Sequence, residues 1–223
     1  MENPIIKKTA LVTDINTPFG ENLAKVFSRE GFCVFAMGDR AIDGIVTLPS
    51  GTGDAFSTLM DKAGMLDFLI DTTDVRDPQD FFTLDDGIDG MVIERVFRRN
   101  VLHSMSLLEV FLPLLDIGEG KRIFYLTSSE ASINETRSTN NFAYCMSKAA
   151  LHQFIQMTRN KLAPGGYTFR VFDPLENELS AEAAAESAYN YFIRRRGTEN
   201  HDPLRDDEDN LVFRDALGRQ HPW

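Results

Sequence analysis

Six short apolar runs alternate with helical stretches along most of this chain, and that alternation restricts the fold more than any other feature. "KTALVT" (8–13) is apolar and stops at a turn, as a strand buried on both faces does. "PFGENLAKVFSREG" then puts Leu23, Val26 and Phe27 on one helical face and closes at Gly31. Further strands are expected at 32–37, 44–48, 66–71, 122–129 and 167–174, with helices over 54–64, 88–115, 140–164 and 180–196. The stretch 202–210 reads as an acidic loop, and 211–223 as an irregular tail with a last strand at 211–214. There is no internal repeat and no linker, so 1–223 reads as one domain of the α/β class. It is expected to be a three-layer, doubly wound parallel sheet with helices on both faces. Such sheets bind ligands outside the carboxyl ends of their strands. That directs attention to the residues just after Val12, Met37, Ile70, Leu126 and Phe172.

Charge and composition remove several classes of partner. The net charge is −11 over 223 residues, and nucleic-acid binding needs clustered Lys and Arg. The short run Arg194–Arg196 reads as a solvated helix end favoured by the helix dipole. The start, "MENPIIKK", has no long apolar segment, and no run approaches the ~18 residues of a membrane span. A cytoplasmic protein with no membrane partner is the expectation. Cys33 and Cys145 lack metal-ligand spacing and read as buried free thiols. His103, His152, His201 and His221 are scattered, so no metal site is expected.

Tyr144 and Lys148 are four apart on an expected helix and share one face. By chance a Tyr-x-x-x-Lys is expected roughly 0.16 times in a chain with these counts, so the pair alone says little. Its context says more, because Ser128 ends the preceding strand and the connection between them can fold back over the strand end.

Four motifs in chain order resemble the short-chain dehydrogenases/reductases. "RIFYLTSS" resembles the strand that ends in that family's serine, and "YCMSK" its Tyr-x-x-x-Lys, with Ser147 before the lysine. "RNVLHSMSLLEVFLP" resembles its long interface helix, with Asn100 thirteen residues before Pro113. "LDFLIDTTD" resembles its fourth strand and the Asn-Asn-Ala-Gly end. The resemblance covers about 8–175 and leaves 176–223 divergent. It implies a Rossmann-like NAD(P)-binding fold and an oxidoreductase acting on a small carbonyl or alcohol. Tyr144 would be the general acid or base, its phenol pKa lowered from about 10 by the Lys148 charge. Ser128 would hold the substrate oxygen, with Ser129 competing for that role. Asn100 would position a proton-relaying water, and Lys148 would also bond the nicotinamide ribose.

The turn "TDINTPFG" departs from the family's Thr-Gly-x-x-x-Gly-Ile-Gly. Asp14 and Pro18 stand for the first two glycines, and only Gly20 remains. A carboxylate about 5 Å from a phosphate charge, at an effective dielectric of about 20, repels by about 3 kcal/mol. Pro18 lacks an N–H where a backbone normally meets phosphates. Thr17 still suits an N-cap, and Phe19 and Gly20 still offer N–H groups at a helix start. The resemblance places Thr13, Asp14, Thr17, Phe19, Gly20, Thr72, Lys148 and Pro174 along the cofactor path. Asp39 and Arg40 follow the second strand and leave NAD against NADP open. Asp71-Thr72-Thr73-Asp74 replaces Asn-Asn-Ala-Gly, and Pro174-Leu175 replaces Pro-Gly.

Three readings follow: an oxidoreductase, a non-catalytic sensor or partner subunit of the same fold, or a binding module for a cationic ligand. The helices at 88–115 and 140–163 resemble those that pair across a two-fold axis in the family. A homodimer or homotetramer is therefore expected.

Overall fold

The computed structural model describes residues 7–194, 207 and 210–223. Among the described residues, eight strands form one sheet in the order β3-β2-β1-β4-β5-β6-β7-β8. They are β1 (Thr9–Val12), β2 (Cys33–Met37), β3 (Val46–Leu48), β4 (Phe68–Asp71), β5 (Arg122–Leu126), β6 (Thr168–Asp173), β7 (Phe213–Asp215) and β8 (Gln220–His221). All pairings are parallel except β7 with β8. The sheet is doubly wound as expected, and its order reverses between β1 and β4.

Strand residues alternate between two cores, as a period of two requires. Val12, Ile70, Phe124 and Leu126 face α1 (Pro18–Arg29) and α6 (Ala181–Ile193). Leu11, Leu69, Ile123 and Tyr125 face α2 (Thr52–Lys62), α4 (His103–Ile117) and α5 (Phe142–Leu162). Phe27 anchors the first core, with Phe32, Phe68, Tyr189 and Phe192 edge-on around it at centroid distances of 4.9–6.2 Å. A side chain buried so completely contributes about 2–3 kcal/mol.

The start of α1 lies very close to the β1 turn. A Cβ on Gly20 would sit 1.8 Å from the Asp14 carbonyl oxygen, so only glycine fits there. Thr17 caps the helix by accepting a bond from the Gly20 N–H at 3.1 Å.

Several expectations need correction. The helix expected over 88–115 is interrupted: α3 (Gly90–Phe97) passes through a π-helical turn (Arg98–Leu102) into α4. The continuous stretch Gly90–Ile117 is long and apolar enough to cross a membrane by length and composition, contrary to the sequence reading. Its Val92, Val96, Leu107 and Phe111 are buried against the rest of the protein, as in a core helix. The last strand begins at Phe213, and β8 was not anticipated. Cys33 and Cys145 are free but only partly buried. Asp207, placed by sequence in a solvated acidic loop, is buried and accepts bonds from Tyr191 and Arg214. The rest of that loop, apart from Asn210, and Arg195 and Arg196 lie outside the described residues.

Candidate active site

Ser128 and Tyr144 reach one place from two elements. Ser128 follows β5 and caps a 3₁₀ turn (Ser129–Ala131), accepting from the Glu130 N–H at 3.2 Å. Tyr144 and Lys148 lie in the first two turns of α5 on its buried face. Asn141, the residue before α5, has φ +56° and offers no side-chain cap. The cap comes instead from Asp80, whose carboxylate accepts from Ala143 N–H at 3.0 Å and Tyr144 N–H at 2.8 Å. Sequence reasoning missed Asp80, because nothing in "DPQD" marks a carboxylate aimed at a distant helix start.

Two cavities open along the carboxyl edge. One, of about 290 Å³, is lined by Ser128, Ser129, Tyr144, Asp74, Arg76 and Pro174, among others. The other, of about 410 Å³, lies over the ends of β1, β2 and β4. It is lined by Thr13, Asp14, Asn16, Gly38, Arg98, Arg99 and His103, among others.

The four residues expected to be catalytic lie near one another, but their polar groups are turned inward. One oxygen of Asp74 accepts the Tyr144 hydroxyl at 2.9 Å and lies 2.8 Å from the Lys148 ammonium. Lys148 also donates to the Thr73 carbonyl at 2.9 Å and the Leu126 carbonyl at 3.2 Å, and it is 0% exposed. Burial first, and the Asp74 charge second, hold the Tyr144 phenol well above its ordinary pKa; the Arg76 charge and, less strongly, the Ser128 hydroxyl pull the other way. The sequence expectation of a phenol lowered by Lys148 is thus reversed. The ammonium is engaged by Asp74, and a carboxylate beside the phenol disfavours the phenolate. Asn100 is also placed differently from its expected role. Its amide accepts from Val75 N–H and donates to Val75 C=O, both at 2.9 Å, and donates to Ser147 Oγ at 3.0 Å. Both side-chain polar atoms already have partners within the protein.

The turn after β1 is stitched to β4. The Asp14 N–H donates to Thr72 Oγ1, which donates to the Asp14 carbonyl. The Asp14 carboxylate accepts the Asn16 N–H at 2.9 Å, so it caps its own turn. Burial raises its pKa, opposed by that same bond. Thr13 donates to Asp71 at 3.0 Å. Thr72, Phe19 and Gly20 are buried, while Pro18 is exposed. Phe19 stacks on Phe172 and shares a core with Leu175. Asp39 bonds Asn16 and Ser50, and the largely exposed Arg40 pairs with Glu21 at 3.4 Å. Neither lines the larger cavity.

A dinucleotide fits this edge in one half. Gly38 has a Cβ position 2.6 Å from Ile15, so the backbone runs bare there, and Arg98, Arg99 and His103 line the same cavity as Asp14. That half suits an adenosine with its phosphates. In the half beside Tyr144 and Lys148, Asp74 already occupies the phenol and the ammonium.

A parallel sheet with a polar crevice at the point where its order reverses, and Ser, Tyr and Lys converging beside it, defines a nucleotide-binding oxidoreductase architecture. Residues 40–175 match the short chain dehydrogenase family, and the chain belongs to it. It is 25% identical over 202 aligned positions to the mitochondrial D-beta-hydroxybutyrate dehydrogenase of Bos taurus, covering 77% of this chain and 55% of that relative. The chain thus spans little more than half of the curated relative's length. A carbonyl reductase from Pseudomonas aeruginosa PAO1, solved in complex with NADP, superimposes with a TM-score of 0.77 at 19% identity, over 97% of this chain and all of that one. The carbonyl reductase Sniffer of D. melanogaster gives 0.79 at 15% identity, over 97% of this chain and all of its own. At these identities the likeness is one of fold.

Proposed function

We propose that this chain is an NAD- or NADP-dependent oxidoreductase that acts on a small carbonyl or alcohol, with Tyr144 as the proton-exchanging group. The observation that carries it is the convergence of Ser128 and Tyr144 on one cavity, with the buried Lys148 ammonium 5.9 Å from the centre of the Tyr144 ring. The Ser128 hydroxyl would hold the substrate oxygen beside the phenol, and the phenol would give or take its proton. Lys148 favours the phenolate once Asp74 no longer engages it. When bound, the cofactor supplies the hydride. Thr13, Asn16, Gly38, Arg98 and Arg99 would hold its adenosine end. The complex of the Pseudomonas carbonyl reductase with NADP agrees with this reading.

The test is reduction of a panel of small aldehydes and ketones with NADH or NADPH. Turnover lost in Tyr144→Phe, with folding retained, supports the role of the phenol; turnover that survives in the variant refutes it.

A second reading, a non-catalytic sensor or partner subunit of this fold, is favoured by the bond between Asp74 and Tyr144 and by the carboxylate at Asp14. It predicts no turnover with any carbonyl and an unaltered fold. We also propose a homodimer or homotetramer formed through α4 and α5. Leu102 in the π-helical turn, Met105 on α4, and Met146 and Met157 on α5 are exposed, which a monomer would leave in water. A monomeric sedimentation profile at micromolar concentration would contradict it.

A further inference from the structure

The segment Thr73–Arg76 leaves β4 and crosses the face of the candidate active site, and almost every polar group of that site holds it down. Lys148 binds the Thr73 carbonyl at 2.9 Å. Tyr144 and Lys148 share one Asp74 oxygen at 2.9 and 2.8 Å. Asn100 clips both backbone groups of Val75 at 2.9 Å. The Arg76 guanidinium stacks 3.6 Å from the centre of the Tyr144 ring and is tied at 2.7 Å to Glu130. Tyr144 is 1% exposed. Asp74 Oδ1 therefore occupies the place that a substrate oxygen and a ribose hydroxyl would need in order to reach Tyr144 and Lys148.

We propose that Thr73–Arg76 is a latch built into the fold. The Asp74 carboxylate is an internal competitor for the phenol and the ammonium, and the Arg76–Glu130 pair is its outer clasp. The adenosine half of the crevice stays open while Asp74 engages the phenol and the ammonium beside the other cavity, so a bound dinucleotide must displace Asp74 before chemistry begins. The inference rests on the dinucleotide reading for its ligand, but the latch is a property of this chain alone. A competent state populated at a few per cent lowers apparent affinity by a factor of about ten or more.

The experiment compares wild type, Asp74→Asn and Arg76→Ala by hydrogen exchange over 72–80 and by titration with NADP⁺ read as heat. Asn at 74 keeps an acceptor for Tyr144 and Lys148 while losing the charge. Ala at 76 touches only a half-exposed side chain, so it tests the clasp without risk to the core. The latch predicts faster exchange over 72–80 in both variants and NADP⁺ binding about tenfold tighter in Asp74→Asn. Unchanged exchange in both variants, or faster exchange with NADP⁺ affinity equal to wild type, overturns it. Faster exchange with no NADP⁺ binding by any of the three supports the latch and defeats the dinucleotide reading instead.

Discussion

Leu175 shows two residue-scale effects in opposition. It stands where the family has glycine and adopts φ +54°, a left-handed backbone that costs a branched side chain about 1–2 kcal/mol. Its side chain is nevertheless buried with Phe19 and Phe172, and deleting a buried leucine costs about 2–5 kcal/mol. Burial outweighs strain, so Leu175→Gly should lose about 2 kcal/mol in urea unfolding, and a gain in stability would show the strain to be larger than the packing. Lys148 gives the complementary case. Asp74→Ala would leave its ammonium buried with only two carbonyl partners, at about 3–5 kcal/mol. Asp74→Asn should lose clearly less in the same measurement, because its amide oxygen still accepts from Lys148, and equal losses would mean that the carboxylate charge rather than the acceptor holds the ammonium. Sequence marked Leu175 and Asp74 as departures from the family pattern. What each side chain does instead depends on atoms far along the chain, which no local pattern reports.

At the scale of elements, strands and helices were legible because their apolar periods are strong, and Tyr144 and Lys148 inherited correct places from α5. The segment 72–89 was not legible, because it has no period and acts through single contacts. Asp80 is its most consequential residue, since it caps a helix that offers no cap of its own. Asp80→Ala should cost about 1–2 kcal/mol, the usual range for a lost helix cap. The loss should come with faster amide exchange at Ala143 and Tyr144; unchanged exchange there would remove Asp80 from the positioning of the phenol. The interruption at Arg98–Leu102 was hidden for the same reason. One extra residue in a helical turn leaves the apolar pattern on either side nearly intact.

Across the whole molecule, two histidines oppose each other in their effect on stability against pH. His152 is buried against Thr127 and is pushed down to about 3 by burial and the Lys148 charge. The unfolded chain takes up that proton near pH 6.5, so stability falls as pH drops below it, by up to about 1.4 kcal/mol per pH unit. For His221, burial lowers the pKa, but bonds to Glu135 at 2.8 Å and Asp215 at 2.9 Å outweigh it and raise it above the ordinary value. Its contribution is complete below about pH 6.5 and is lost as pH rises through the raised value. Urea midpoints from pH 4 to 9 should peak between the two; His221→Gln should flatten the alkaline side alone, and an unaltered alkaline limb would refute the assignment. The sheet and its order were legible from the alternation of runs, but the closing of Trp223 and β8 against β7 and His152 was not, because that tail carries too few residues to show a period.

The crevice is proposed to take a nicotinamide dinucleotide despite Asp14 and Asp74. Titrating the wild-type protein with NADPH and following nicotinamide fluorescence tests it most directly. Saturable binding is expected with half-saturation below about 1 mM, where the free energy of binding is about −4 kcal/mol. No change in fluorescence or melting temperature at millimolar NADPH and NADH would contradict it and leave the non-catalytic reading in its place.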